Sequence, residues 1–457
     1  MSTVVKNKDI NMTEGPFLKK MVLFSIPVLL TVLLQQLYQS LDLMVVGKYA
    51  SDTALAAVGS VGSLNSLVTA VFMGLSVGAG VVAAQKIGAG QSDQVSKVIH
   101  SSALLAIVLG GTIGLIGVFL SRTLLVMTNA PAEVLDQATV YMQLIFAGTP
   151  ATILYNYMAS ILRSAGDSRR PLYFLLVSGA VKVMMNFLFV RLFHWDVAGV
   201  ALATTLAYYL SAAIVIIYMM KQKGYLHFSF RLLGMNGAIV KQILIIGIPS
   251  GIQSSLSSLS NVVIQSSVNS FGEFAISGNS VADNLGTYVY YGGNAVYQAV
   301  LTFVGQNMGA KKYKNIKKVV LWGLFLAVAV SFAIGGMFLV FREFFVGLLI
   351  DDTSVTRDFA YQRMYIEMPL YFLCGIMEVL SGALRGMGKS VTSTVVSLLG
   401  SCAFRIVWVN TVFLFVERNI GWVFISKPIS FLLVATFNGL FFLIYYRRCA
   451  RDIEKVI

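Results

Sequence analysis

Gly179-Ala-Val-Lys182-Val-Met-Met-Asn186-Phe-Leu-Phe-Val190 lies inside an apolar run from Leu172 to Leu192. About 20 apolar residues cross the hydrocarbon core of a bilayer as a helix, so the run reads as a membrane span. A lysine in the middle of such a span costs roughly 2.5–3.5 kcal/mol on insertion scales. Lys182 and Asn186 are four residues apart and share one helical face. A span keeps a charge at its centre for pairing, for transport or for a cavity. The face is read here as half of a transport site.

The rest of the chain has the composition of a polytopic membrane protein. Of 457 residues, 57% are hydrophobic and 12% charged, with a mean hydropathy of +0.78. A soluble protein carries about 25% charged residues. Twelve apolar runs reach spanning length, near 17–46, 53–80, 99–121, 138–161, 171–193, 196–220, 239–266, 278–305, 315–340, 359–384, 390–416 and 420–446. The longest polar interruption, Lys221 to Gly237, reads as a linker. The predicted organisation is an N-terminal six-helix lobe over residues 1–225, a cytoplasmic linker over 226–238 and a C-terminal lobe over 239–457. The first span is too long and its leader too polar for a cleaved signal, so it is expected to be retained. Cys374, Cys402 and Cys449 are odd in number and lie in or beside apolar runs, which suggests no disulfide framework.

Positive charge sets the expected orientation. With the N-terminus in the cytoplasm, inner segments hold 24 of the 34 lysines and arginines, Lys6, Lys8 and Lys455 among them. Outer segments hold 7, including Lys48, Arg363 and Arg418, and three lie within spans: Lys182, Arg405 and Lys427. The asymmetry predicts both termini in the cytoplasm. It also accounts for the net charge of +14 without a nucleic-acid partner. Lys311–Lys318 reads as a cytoplasmic loop, with contact to anionic lipid as the alternative.

The halves repeat. Gln85-Lys-Ile-Gly88-Ala matches Gln306-Asn-Met-Gly309-Ala, Arg163-Ser-Ala-Gly166-Asp-Ser matches Arg385-Gly-Met-Gly388-Lys-Ser, and Ser25-Ile-Pro27 matches Gly247-Ile-Pro249. Each half holds an even number of spans, so the repeats are parallel and related by a pseudo-two-fold along the membrane normal. The fold class is an all-α membrane protein of twelve transmembrane helices in two six-helix lobes. A cavity opening alternately to each side is the mechanism that this symmetry suggests.

Leu37-Tyr-Gln-Ser-Leu-Asp42-Leu-Met-Val-Val-Gly47 and Leu55-Ala-Ala-Val-Gly59 resemble the first-helix signature of multidrug and toxic compound extrusion (MATE) transporters. Gly74 to Gly78 with Gln85 and Gly88, Arg163 to Asp167, Gly199 to Thr204, and Ser381 to Gly388 fit as well. The resemblance runs from about residue 15 to 447. It implies antiport of an organic compound against sodium or protons. It also implies an N-lobe ion site, in which Asp42 matches the first-helix aspartate and Thr204 the sixth-helix threonine. The fifth-helix pair departs: Lys182 stands where the family has asparagine, and Asn186 where it has aspartate. A lysine ammonium cannot ligate sodium and takes the place of a cation, so protons are favoured. By helical rise Asp42 lies roughly 6 Å from the outer end of its span, Asn186 and Thr204 roughly 10–12 Å, and Lys182 roughly 16 Å. Asp42 and Lys182 are expected to form an ion pair, directly or through Asn186 or water. Burial and pairing act oppositely on each ionisation, so such a pair can exchange a proton. The alternative is a static pair that fixes helix packing.

The second half carries Arg405 at about the depth of Lys182, one residue from its repeat counterpart. Two cations at one depth suggest a positive cavity, and a runner-up function follows: export of an anionic metabolite or lipid precursor bound by Lys182 and Arg405. Glu378 is the best intramembrane acid of this half. Asp283 and Glu367 are expected nearer the outer interface. Arg405 alternatively forms a structural pair with Glu378 or with backbone carbonyls. Lys427, beside Pro428, is expected to snorkel outward. Gln35 and Tyr38, on the face of Asp42, with Gln253 and Asn261 in the serine-rich seventh span, complete the candidate cavity lining. His100, His194 and His227 are scattered and no metal site or phosphate loop is present in the sequence. The expected protein is a plasma-membrane transporter rather than an enzyme, a monomer with no cofactor beyond the coupling ion, and its partners are the bilayer and a small organic substrate.

Overall fold

The computed structural model describes residues 10–128, 130–350, 354–416 and 419–454. Lys6, Lys8, Arg418 and Lys455, counted above for orientation, lie outside the described residues. The described helices are α1 (Phe17–Tyr49), α2 (Asp52–Gly88), α3 (Ser92–Met127), α4 (Leu135–Ala147), α5 (Thr149–Ser164), α6 (Arg169–Asn186), α7 (Asp196–Met220), α8 (Gly237–Asn269), α9 (Glu273–Gly309), α10 (Tyr313–Val340), α11 (Arg342–Gly347), α12 (Ser354–Glu367), α13 (Phe372–Gly386), α14 (Ser390–Ser397), α15 (Phe404–Trp408) and α16 (Ile420–Glu454).

Several of these are pieces of one rod. Pro150 at the start of α5 has no N–H to continue α4. Pro369, in a short 3₁₀ turn, separates α12 from α13 at a bend of 46°. α6 runs on into a π-helical stretch, Phe187–Leu192, and α14 and α15 are joined and extended by π stretches at Leu398–Ala403 and Val409–Val416. Counted as rods, with α11 left aside as a short link, the described residues form twelve. Nine segments are long and apolar enough to cross a membrane, ten with the bent α12–α13 pair. The remaining rods are α4–α5, broken at Gly148, and α9, which is long but carries Asn279, Asp283 and Asn284. The observed ends extend past the apolar runs because the polar flanks stay helical: α2 continues to Gly88 and α16 to Glu454.

The repeat is visible in backbone detail. Gly166 and Gly388 both sit at positive φ, +96° and +79°, just after the equivalent helices α5 and α13, whose last turns carry Arg163 and Arg385. A left-handed residue ends a helix by redirecting the chain, and glycine does so without Cβ strain. Pro27 and Pro249 lie inside α1 and α8. The π stretches after α6 and α15 begin at Phe187 and Val409, 222 residues apart. Such stretches often mark functional sites.

The residues group into two compact units. Leu30–Gly251 forms the body of the first, and Ile252–Ile457 with Asn11–Leu29 forms the second. The division therefore falls inside α1 and α8, at repeat-equivalent points.

In the first unit, α3 anchors the chain that leads to α8. His100 accepts a hydrogen bond from the Ser229 amide at Nε2 (3.0 Å) and stacks on Phe228 at 5.2 Å. Ser101 accepts from the Asn236 amide and donates to the Gly234 carbonyl. In the second unit, the segment before α1 is fastened to the α9–α10 turn. Asn307 donates to the Met12 carbonyl at 2.9 Å, Asn315 to the Thr13 carbonyl at 3.0 Å, and Lys312 pairs with Glu14. The Lys312 hydrogen bond and charge hold the Glu14 carboxyl below its usual range, so the pair persists at neutral pH and is lost as pH falls into the acid range. Asn307→Ala leaves buried carbonyls without a donor and is expected to cost ~1–2 kcal/mol, read as a lowered melting temperature of the purified protein.

Candidate transport site

The first unit brings three of the four predicted ion-coupling residues, Asp42, Lys182 and Asn186, into contact. Asp42 on α1 is 7% exposed, Lys182 on α6 8%, and Asn186 fully buried. The Lys182 ammonium donates to Asp42 Oδ2 at 2.6 Å. Asn186 Nδ2 donates to Asp42 Oδ1, also at 2.6 Å. One turn of α6 thus supplies a donor to each oxygen of a single carboxylate. Charge-assisted bonds this short in low dielectric are strong, and so is the cost of leaving either ion alone. Asn186 Oδ1 is buried with no hydrogen-bond partner among the described residues, and so is the hydroxyl of Thr204 on α7, which bonds none of the three. Tyr141 on α4 and Tyr208 on α7 lie within electrostatic reach of Asp42.

Packing above the ion pair depends on Gly179. A Cβ there would overlap the Tyr38 ring, so glycine lets α1 approach α6 with the tyrosine between them. The Tyr38 hydroxyl reaches the Leu176 carbonyl at 3.5 Å. Gln35 is half-buried on the same helix. Gly179→Val is expected to push α1 from α6, cost ~1–3 kcal/mol as overpacking does, and weaken the Asp42–Lys182 pair. A melting scan together with a coupling assay on the variant checks both effects.

The second unit holds a larger charge cluster. Arg363 on α12 bonds Glu367 at 2.8 Å and Asn279 Oδ1 at 2.6 Å, and also pairs with Asp283 on α9. Lys427 on α16 reaches Glu367 at 3.1 Å and Asp283 at 3.4 Å. Lys427 therefore points inward rather than snorkelling, because a buried acid on α12 offers it an ion pair. Glu367 is likewise buried, while the Asp283 side chain keeps 54% of its surface. Arg405 does not meet Glu378. Its Nε donates to Ser430 at 2.9 Å, its Nη1 reaches Asn261 at 3.4 Å, and its guanidinium lies 5.5 Å from the Phe431 ring centre. Glu378 stays half-buried on α13 with no hydrogen bond or ion pair to a described residue. Gln253 accepts from Arg385.

Sequence reading missed the four-charge network. Its signal was the spacing: Arg363 and Glu367 stand four apart, the distance at which helical side chains meet, but both had been assigned to the outer interface. No cluster of three or more potential metal ligands occurs among the described residues.

Comparison with known proteins is consistent with these features. The chain is 27% identical over 391 residues to "Probable multidrug resistance protein YoeA" of Bacillus subtilis, covering 83% of each chain. It is 25% identical to "Multidrug export protein MepA" of Staphylococcus aureus, covering 84% of this chain and 85% of that one. Among solved structures it resembles a MOP superfamily transporter from Pyrococcus furiosus, with a TM-score of 0.90 and 20% identity over 97% of this chain and 99% of that one. An outward-facing multidrug resistance MATE transporter of the same superfamily gives the same TM-score, identity and coverage. The MatE family pattern matches residues 27–188 and again 249–411. Both matches begin at the equivalent prolines, so the pattern repeats with the chain's own period. Matched twice over most of its length, the chain belongs to the MATE family of membrane transporters.

Proposed function

We propose that this chain is a monomeric plasma-membrane antiporter, with both termini in the cytoplasm, that exports small organic compounds in exchange for protons. MATE proteins are transporters rather than enzymes, and the relatives above carry names of multidrug resistance and export. One observation supports proton coupling over sodium: the Lys182 ammonium stands 2.6 Å from Asp42, where a bound cation would need oxygen donors. Sodium would have to displace an ammonium held by a buried carboxylate. A proton needs no ligand cage. By adding to Asp42 it neutralises the carboxylate and removes its hold on both donors from α6. The ammonium then has an acceptor on its own face, the unpartnered Asn186 Oδ1, one helical turn away. Protonation and deprotonation thus correspond to two arrangements of the α1–α6 contact, which is the bistable element that coupling requires. Gln35 and Tyr38 in the first unit, and Gln253, Asn261, Glu378 and Arg405 in the second, are the proposed substrate-contacting residues.

The test is efflux of ethidium from proteoliposomes under an imposed pH gradient or an imposed sodium gradient. Efflux is expected to follow the pH gradient and to ignore sodium. Efflux that needs sodium and is indifferent to pH overturns the proton assignment, and saturable flux under neither gradient overturns export.

A further inference from the structure

We infer that Arg405 is the anchor for an anionic group, so that the compounds carried include amphipathic organic anions bearing a carboxylate or sulfonate. This deepens the export reading by naming a substrate class, and its test is arranged to fail separately from it.

The first observation is what surrounds the guanidinium. Arg405 is 5% exposed, midway along the rod of residues 390–416. No carboxylate of a described residue lies within ion-pair distance. Its partners are neutral: a serine hydroxyl, an asparagine amide oxygen and a phenyl ring. A guanidinium carries five N–H donors in a planar fork. Ser430 takes one, and Asn261 weakly takes another at 3.4 Å. Nη2 has no hydrogen-bond partner among the described residues. The open edge of the fork is the part that grips a carboxylate, sulfonate or phosphate through two parallel bonds.

The second observation is the charge of the neighbourhood. Ser430 donates to the Lys427 carbonyl one turn earlier on α16, so Arg405 adjoins the Arg363–Glu367–Asp283–Lys427 network. Glu367 acts on Arg405 electrostatically from beyond ion-pair range. The network itself holds two cations, Arg363 and Lys427, against two carboxylates, Glu367 and Asp283. The third intramembrane acid of this half, Glu378, lies in the field of Arg385. Arg405 is left as one positive charge in excess. An ionisable side chain at this depth is normally paired or functional. By contrast, Lys182, of similar depth in the first unit, is compensated by Asp42. The anionic group is therefore assigned to Arg405 alone.

The third observation is access. Asn261, which touches Nη1, is exposed on α8. The guanidinium thus ends beside a residue that the surroundings reach, with the Phe431 ring beneath it. An aromatic floor beside a cation suits an anion joined to an apolar ring. Asn261 also provides a test that changes almost no volume. Asn261→Asp places a carboxylate where the amide now sits and gives Arg405 an internal partner.

The experiment measures equilibrium binding of three probes to the full-length protein in nanodiscs: 2-naphthalenesulfonate, 2-naphthylmethylammonium and 2-naphthalenemethanol. The ring is shared and only the head group differs. The wild type is expected to bind the sulfonate at least ten-fold more tightly than the alcohol. Asn261→Asp is expected to abolish that preference, with an unchanged or raised melting temperature. Arg405→Gln is expected to abolish it too, and Arg405→Lys to keep part of it, since the charge remains and the fork is lost. Equal binding of all three probes by the wild type, or a sulfonate preference that survives in Asn261→Asp, overturns the inference. Because binding is read without a gradient, ethidium efflux can persist when the anion preference is absent, and the converse also holds.

Discussion

Lys182→Met is expected to lose ~3–5 kcal/mol of stability, the usual cost of removing one partner of a buried ion pair, and to lose pH-driven transport with it. Asp42 would keep only the Asn186 amide at Oδ1, and a buried carboxylate without its cation is driven to take up a proton. A permanently protonated Asp42 cannot report the pH on either side of the membrane. Three further variants separate coupling from mere folding. Asp42→Asn with Lys182→Met removes both charges and is expected to recover most of the melting temperature without recovering coupling. Lys182→Arg keeps the charge and is expected to keep the fold. Lys182→Asn with Asn186→Asp installs the asparagine and aspartate that the resemblance to the family implies at these positions and removes the resident ammonium; sodium-dependent efflux is its expected gain. If Lys182→Met folds and still transports along a pH gradient at the wild-type rate, the pair is a packing device and the coupling site lies elsewhere.

Much of the first unit is legible in the sequence. A lysine four residues before an asparagine in an apolar run fixes which face is polar. The repeat then fixes the number of spans per half, and the first-helix signature identifies the acid that completes the pair. The geometry at Asp42 follows from these with little freedom, since one carboxylate has two oxygens and α6 offers two donors one turn apart. Gly179 was in the quoted stretch, but its role was not readable. Which ring a missing Cβ accommodates depends on Tyr38 of α1, 141 residues earlier. The helix breaks at Pro150 and Pro369 were also concealed, because a long apolar run reads as one span whether or not it bends. The division of α1 and α8 between the two units had no local signal beyond the matched prolines near it.

The second unit was read less well, for a physical reason. Depth along a span can be counted from its ends, but the direction in which a side chain leaves the helix cannot. Lys427 and Glu367 were assigned to the interface by depth. Both instead turn toward a common interior where each satisfies the other. A pair between Glu378 and Arg405 is one alternative that the sequence offers, because both are intramembrane and opposite in sign. Helix rotation sends them to different neighbours: Arg405 faces α16 and α8, and Glu378 lies in the field of Arg385.

Glu367→Gln is expected to be the most damaging single change in the second unit, at ~3–5 kcal/mol. Glu367 holds Arg363 at 2.8 Å and Lys427 at 3.1 Å and is itself buried. Its neutralisation leaves Arg363, Lys427 and Arg405 around a single carboxylate, Asp283. Asp283→Asn removes the same charge from the same network but is expected to cost only ~1 kcal/mol or less, because its side chain is half exposed and water screens the pair. The comparison tests burial rather than charge count. A cycle with Lys427→Met sharpens it. Removing Lys427 together with Glu367 leaves Arg363 paired with Asp283, so the double variant should lose less stability than the two single variants sum to, by ~1–3 kcal/mol of interaction energy. Melting temperatures of the wild type and the four variants in one detergent decide the matter. Equal losses for Glu367→Gln and Asp283→Asn would mean that the network is solvated throughout. It would then exert no more hold on the second unit than a surface cluster, and Arg405 would lose the desolvated setting on which its affinity for an anion depends.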